Sequence, residues 1–443
     1  MSFVNSVFWI KNRLRGDVLK QYREICHHER LSASVLRELE WERQKAIVEF
    51  AYEHSAFYKS LYDHFGFHPS MLKDKNDWQL VPIVEKEEVR KNRDSIVCDN
   101  AIPSMMAEAT TGGSTGIPLK VFRDKRFHHE ILGWRSLRWW GVSPGDSIGI
   151  LHRRVPTTFI AQLRNRVLWW PTYRAYLDAS SINEKRLATF IDQIVHNKVK
   201  YLQGYVGALE RVADYIIEHE ILVTSLRLVW STSAPLHDIV RKKMELAFNC
   251  KVMNQYGCNE IFYIATQCPL CNHLHVHSDC AHIDVINDEG NLITDKDGNI
   301  LVTDLLNKVF PLIKYRLGDR GRLLSTPCSC GLPMPLMAEV QGRVSNTIVT
   351  PSGIHVDGVY LSSLFDGLYD IVSQFQIRQF KDYRVVIFVC LQDRNSVYHA
   401  CLENVRNALV KKTKGEISIE IEVVDRIADD RGKIRYIISD IRK

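Results

Sequence analysis

Between residues 31 and 65, apolar side chains return every three or four positions: Leu36, Leu39, Trp41, Ile47, Phe50, Ala51, Phe57, Tyr58, Leu61 and Tyr62. That spacing predicts one or two amphipathic helices feeding a core. Residues 74–94 are rich in charge around Pro82, with a helical stretch over 86–92. A further helix is predicted over 123–140, then a turn at Ser143-Pro144-Gly145-Asp146 and a buried strand over 148–151. Helical patterns over 182–196, 207–219 and 237–248 then alternate with strand patterns over 199–202, 226–230 and 251–255. Strands spaced by helices of this length predict α/β layers with parallel pairing.

Beyond Ile261 the texture changes. Short strands are predicted over 274–285, 300–305, 311–315 and 322–324, separated by Asp/Gly turns such as Asp297-Gly298. This reads as a more antiparallel β unit packed beside the α/β part. The last hundred or so residues alternate again, with strands over 382–392 and 417–424 around a helix over 396–413, a small α+β domain. No internal repeat or low-complexity tract interrupts the chain.

At 443 residues the chain exceeds the size of a single core, so two or more domains are expected. Hydrophobic residues at 45% and charged residues at 25% make an ordinary soluble composition. The net charge of +6 is too diffuse to argue for a nucleic-acid partner, and the apolar runs are too short for a transmembrane segment. Residues 1–15 place an apolar segment before Lys11, Arg13 and Arg15, the reverse of a secretory signal. They read as a packed amphipathic helix, with weak membrane-surface association as the alternative. Eleven cysteines without a signal peptide predict reduced thiols in the cytoplasm.

The chemistry concentrates in a few motifs. Thr110-Thr111-Gly112-Gly113-Ser114-Thr115-Gly116 sets glycines and hydroxyls ahead of a strand beginning near Leu119. Glycines let backbone N–H groups close on an anion and hydroxyls add donors, so the loop reads as a phosphate cradle. It is not a Walker loop, because Ile117-Pro118 follow Gly116 where Lys-Ser or Lys-Thr would be needed. Ser231-Thr232-Ser233-Ala234-Pro235 turns from a strand into a helix, where α/β folds bind ligands or simply cap a helix. Tyr256-Gly257-Cys258-Asn259-Glu260 offers an aromatic face and a carboxylate able to hold a hard cation. Tyr315-Arg316-Leu317-Gly318-Asp319, Gly342-Arg343 and Arg431-Gly432-Lys433 complete the series.

In this order and spacing the motifs resemble the signatures of the adenylate-forming superfamily, the acyl-CoA ligases and adenylation domains. The nearest resemblance is to the phenylacetate–CoA ligase-like branch, which includes capsule-biosynthesis relatives. It implies a large N-terminal AMP-binding domain over 1–342, with α/β layers and a β subdomain, and a small mobile C-terminal α+β domain over 343–443. It implies that Thr111, Gly112, Gly113, Ser114, Thr115 and Gly116 cradle phosphate, with Thr115 also catalytic. Ser233, Ala234 and Pro235 would flank adenine, Tyr256 would stack on it, and Gly257 and Asn259 would border the nucleotide. Glu260 would hold Mg²⁺, Asp319 would accept from the ribose hydroxyls, and Arg343 would meet ribose or phosphate. Lys433 would meet the carboxylate and α-phosphate. The chain departs from the family pattern at Asn259, Leu317 and Asn346, which puts a hydroxyl contact and the hinge in doubt.

The resemblance implies ATP-dependent activation of a small-molecule carboxylate to an acyl-adenylate, then transfer to coenzyme A or another acyl acceptor. The rival reading is a non-CoA adenylating or non-catalytic nucleotide-binding protein in polysaccharide biosynthesis. A homodimer is left open. Separately, Cys268 and Cys271, with Cys328 and Cys330, form two close pairs of the kind that build structural Zn²⁺ sites, and His275 or His277 could replace one ligand. Free thiols are the alternative, then a disulfide. Trp134, Trp139, Trp140, Trp169, Trp170 and Tyr173 read as core, or else as an aromatic acyl pocket.

Overall fold

The computed structural model describes residues 2–111, 119–152, 155–156, 158–340, 342–343, 348–356, 360–361, 364–365, 368, 371–391, 398–427 and 436–441. The chain forms two compact units, one of residues 1–144 with 255–340, the other of 145–254 with 341–443. The boundary expected between 342 and 343 lies two residues from the chain's return to the second unit. Among the described residues no helix is long and apolar enough to cross a membrane.

In the first unit the expected helical stretch over 31–65 is two helices, Ala33–His54 and Ala56–His64. Ser32 caps the first by accepting from the Val35 N–H, which satisfies one orphan donor of the first turn. The helix Val18–His28 has no counterpart in the sequence reading. Two antiparallel systems follow. One pairs Ala281–Ile286 with Gly298–Asp304 and that strand with Tyr315–Gly321. The other runs from Gln255-Tyr256 through Ala265–Gln267 and Leu274–Val276 to Leu336-Met337 and Leu323-Leu324. The strand expected over 311–315 begins instead at Tyr315. Residues 311–314 are buried outside the ladder, with Tyr58 donating to the Pro311 carbonyl (3.1 Å) and accepting from the Ile313 N–H (3.0 Å).

A fully buried ionic cluster ties three segments of this unit together. Arg135 donates to both oxygens of Asp279 (2.7 and 2.9 Å) and contacts His277 Nδ1 (2.6 Å), while His28 Nδ1 lies 2.9 Å from Asp279. Burial opposes the charge on Asp279, but Arg135 and His28 outweigh it and hold the carboxyl far below its usual range. Trp134 packs edge-on against Phe8 and Tyr22, and Trp139 against the rings of His275 and His277, so both serve the core.

In the second unit the expected alternation appears as a parallel sheet in the order Lys251–Tyr256, Leu228–Thr232, Tyr201–Tyr205, Ile148–His152, Arg174–Asp178. Its central strands are buried on both faces, as a parallel sheet covered by helices requires. A Cβ at Gly204 would lie 2.6 Å from the Leu151 side chain, so the neighbouring strand admits only glycine there. The C-terminal strands run in the order Ile419–Val423, Val385–Leu391, Val372–Gln379, Ile437–Ser439, with the helix Tyr398–Lys412 burying Leu402, Val405 and Leu409. They share one core with the helices Val206–Glu218 and Asp238–Phe248. Buried Lys243 joins the two parts, donating to Glu210 (2.7 Å) and the Ser373 carbonyl (2.8 Å), while Tyr436 donates to the other Glu210 oxygen (3.1 Å).

Candidate functional site

The first unit brings expected site residues together from strands of two different sheets. Tyr256 closes its strand with its ring buried, and its hydroxyl donates to Asp319 Oδ2 at 3.0 Å. Burial, then the Asp319 charge, push the Tyr256 phenol well above its usual pKa, so it stays a neutral donor. Asp319 itself lies on Tyr315–Gly321, directly after Gly318, whose φ of +84° glycine adopts without strain. Leu317, one of the departures from the expected pattern, is buried in the core.

After Tyr256 the chain turns tightly. The Cys258 N–H donates to the Ile261 carbonyl (3.0 Å), and a Cβ at Gly257 would meet Gln255 Nε2 at 2.8 Å and Tyr263 N at 3.0 Å. The turn leaves Asn259 exposed and Glu260 only 3% exposed. A buried carboxylate needs a partner, and Lys86 Nζ supplies one at 3.4 Å. Lys86 starts the helix Lys86–Lys91 in the charge-rich stretch; nothing in the local sequence distinguishes it from its charged neighbours. The Arg123 guanidinium lies over the Phe262 ring at 3.8 Å, a second pairing that only the fold reveals.

The strands Met106–Thr111 and Leu119–Asp124 pair antiparallel up to Thr111↔Leu119, so the stretch expected to cradle phosphate joins two paired strands. Gly112, Gly113, Ser114, Thr115 and Gly116 lie outside the described residues, as do Lys433 and Asn346. The side chains of Thr111 and Arg343 do too, although the backbone of each is in a strand.

In the second unit Ser233, Ala234 and Pro235 form the turn between Leu228–Thr232 and the helix Asp238–Phe248, as the sequence predicts. Ser233 adopts a φ of +75°, uncommon for a residue with a Cβ. Below it, Ser231 donates to the Met253 carbonyl (3.1 Å), pinning the two strands together.

The cysteine pairs meet in the first unit. Cys268 and Cys271 follow the strand Ala265–Gln267, while Cys328 and Cys330 lie between Leu323-Leu324 and Leu336-Met337. Cys328 Sγ is 3.6 Å from Cys268 Sγ and 3.8 Å from Cys271 Sγ, and no disulfide forms. Tetrahedral zinc with Zn–S bonds of about 2.3 Å requires sulfurs about 3.8 Å apart. His275 joins them, its Nε2 3.1 Å from Cys330 Sγ and its Nδ1 3.3 Å from the Met334 carbonyl. Burial pushes His275 down to about 4, leaving a neutral imidazole. If its proton sits on Nδ1, facing the carbonyl, Nε2 is the ligand nitrogen. The ligand atoms of Cys268, His275, Cys328 and Cys330 all lie within 4.8 Å of one another, so the structure brings together five donors for a four-ligand site.

Residues 348–440 match the family model described as the CapK C-terminal domain. Over its whole length the chain is similar to Protein CapK of Staphylococcus aureus, at 21% identity covering 97% of this chain and 96% of that one. It is also similar to a phenylacetate–coenzyme A ligase of Thermus thermophilus, at 23% identity over 79% of each chain. Among solved structures it resembles 2-hydroxyisobutyryl-CoA ligase in the postadenylation state, with a TM-score of 0.75 and 17% identity over 93% of this chain and 91% of that one. The expected fold class, α/β with a β subdomain and a C-terminal α+β part, is therefore the observed one. Relatives and fold together fit the adenylate-forming superfamily, and what the chain resembles is phenylacetate–CoA ligase-like.

Proposed function

We propose that this protein is an ATP-dependent carboxylate ligase that forms an acyl-adenylate and passes the acyl group to coenzyme A. The observation that carries the reading is the bond from Tyr256 to Asp319 at the mouth of a turn that also presents Glu260. Tyr256 would give adenine an aromatic face while its hydroxyl orients the Asp319 carboxylate toward the ribose hydroxyls. Glu260 would hold Mg²⁺, whose charge offsets that of the triphosphate, and Lys86 would then exchange its present partner for phosphate oxygens. Glycine-loop N–H groups and the Thr115 hydroxyl would steady the leaving pyrophosphate, with Ser233, Ala234 and Pro235 beside adenine. The substrate carboxylate attacks the α-phosphorus, and the bond to the bridging oxygen breaks in line. Lys433 would neutralise charge at that phosphate, and Arg343 would contact ribose or phosphate. Residues 343–443 would act as the mobile domain that then admits the thiol.

The likeness along nearly the whole chain to CapK, which is not named as a ligase, favours a second reading, a protein that adenylates without coenzyme A or only binds nucleotide. Pyrophosphate release against a panel of carboxylates, with and without coenzyme A, separates the two. Thioester formation supports the ligase; carboxylate-dependent release that never yields a thioester supports the CoA-independent reading. Nucleotide binding without release supports the non-catalytic one.

A further inference from the structure

The helix Phe159–Trp169 is amphipathic the wrong way round for a core helix. Its half-buried residues are Ala161, Asn165 and Trp169, which share one side at helical spacing. On the opposite side Phe159 is 79% exposed, Ile160 78%, Leu163 52% and Val167 69%. Exposed Arg164 and Arg166 flank that stripe on its two edges. A contiguous apolar stripe in solvent marks an interaction surface rather than a packing accident.

Charge decides what fits it. Residues 147–177 contain Arg153, Arg154, Arg164, Arg166 and Arg174 and no aspartate or glutamate. The first helix, Phe3–Arg13, in the other unit, is built alike. Phe8 and Asn12 are buried, Ile10 (61% exposed) and Leu14 (82%) face solvent beside exposed Lys11 and Arg13, and residues 1–16 hold no acid. An apolar stripe edged only by cations matches an anionic lipid surface, where the stripe enters the acyl boundary and the long basic side chains reach back to phosphates. A second copy of the chain fits less well, since a twofold contact through this face would set the arginines near their own counterparts with no acid within residues 147–177 to answer them.

We propose that the helix Phe159–Trp169 seats the protein on anionic membrane surfaces. The full-length chain is sedimented with phosphatidylcholine vesicles, and with vesicles containing about 30% phosphatidylglycerol, at about 0.1 M salt. Binding is expected to the anionic vesicles, and to fall several-fold when salt is raised to about 0.5 M. Leu163→Gln with Val167→Gln should weaken it by roughly tenfold or more, and Arg164→Gln with Arg166→Gln by about fivefold per arginine. Neither pair should move the melting temperature, because all four side chains are exposed. Absence of binding to anionic vesicles overturns the proposal. So does binding that survives both pairs but is lost in Ile10→Gln with Leu14→Gln, which would assign it to the first helix. A dimer in solution that Leu163→Gln with Val167→Gln dissociates would give the face to a second copy instead.

Discussion

Lys243→Met is the most informative perturbation of the second unit. Lys243 and Glu210 are both buried, and the ammonium meets Glu210 at 2.7 Å and the partly exposed Asp214 at 2.8 Å. Burial works against the charge on Lys243, but Glu210 and Asp214 outweigh it and hold its pKa up. Methionine keeps the volume and removes the charge, leaving the Glu210 carboxylate in the core with Tyr436 as its remaining donor among the described residues. An orphaned buried charge costs about 3–5 kcal/mol. Adding Glu210→Gln removes that charge, and the residual loss should shrink to about 1–2 kcal/mol, mostly for the bonds to Ser373 and Tyr436. The two compact units need not unfold together, so a melting curve reports shifts but yields no free energy for this one core. Hydrogen exchange in peptides covering 206–218 and 372–379 reads the affected core directly. Lys243→Met should speed exchange there by about 10² or more, and the double variant should restore most of the protection. A single variant with under about fivefold effect, or a double variant no better than the single, would refute the reasoning.

Three further outcomes follow. ATP or AMP should raise the melting temperature, and Asp319→Ala should lose most of that rise; an unchanged shift in the variant would remove Asp319 from the ribose. Protein purified without added zinc should contain about one Zn²⁺ per chain, and releasing it with a chelator should lower the melting temperature. Metal-free protein that is folded and fully reduced would reject the site, while equal zinc loss in Cys271→Ser and His275→Ala would leave the fourth ligand shared between them. Lys433→Ala should slow acyl-adenylate formation by roughly 10²–10³-fold yet spare thioester formation from supplied acyl-adenylate. Equal damage to both half-reactions would mean that the lysine does not act at the α-phosphate alone, with Lys411→Ala as a control that should leave both intact.

The parallel sheet of the second unit was legible because each of its central strands is a short apolar run bounded by turns, with a helix of regular period between. Arg174–Asp178 was not, since an edge strand buried at only two of five positions carries too little pattern. Nor was the helix Phe159–Trp169, whose apolar positions do not face a core. Tyr315–Gly321 hid for a different reason. Arg316, Asp319 and Arg320 interrupt its apolar residues, and they make ion pairs and the bond to Tyr256 rather than pack. The same limit applies to the partners. Tyr256, Glu260 and Asp319 announce themselves by local motif, whereas Lys86 and Arg135 acquire meaning only when the fold brings distant carboxylates to them. His275 lies between the two: its imidazole was a visible substitute ligand, but its approach to Cys330 depends on the pairing of Leu336 with His275.

The central claim is that a carboxylate displaces pyrophosphate from ATP on this chain. Exchange of labelled pyrophosphate into ATP tests it most directly, because exchange requires reversible adenylate formation and nothing later. The account predicts exchange that depends on a carboxylate from the panel and on Mg²⁺, that proceeds without coenzyme A, and that falls by about 10² or more in Lys433→Ala. Protein that binds ATP but supports no exchange with any carboxylate would contradict it.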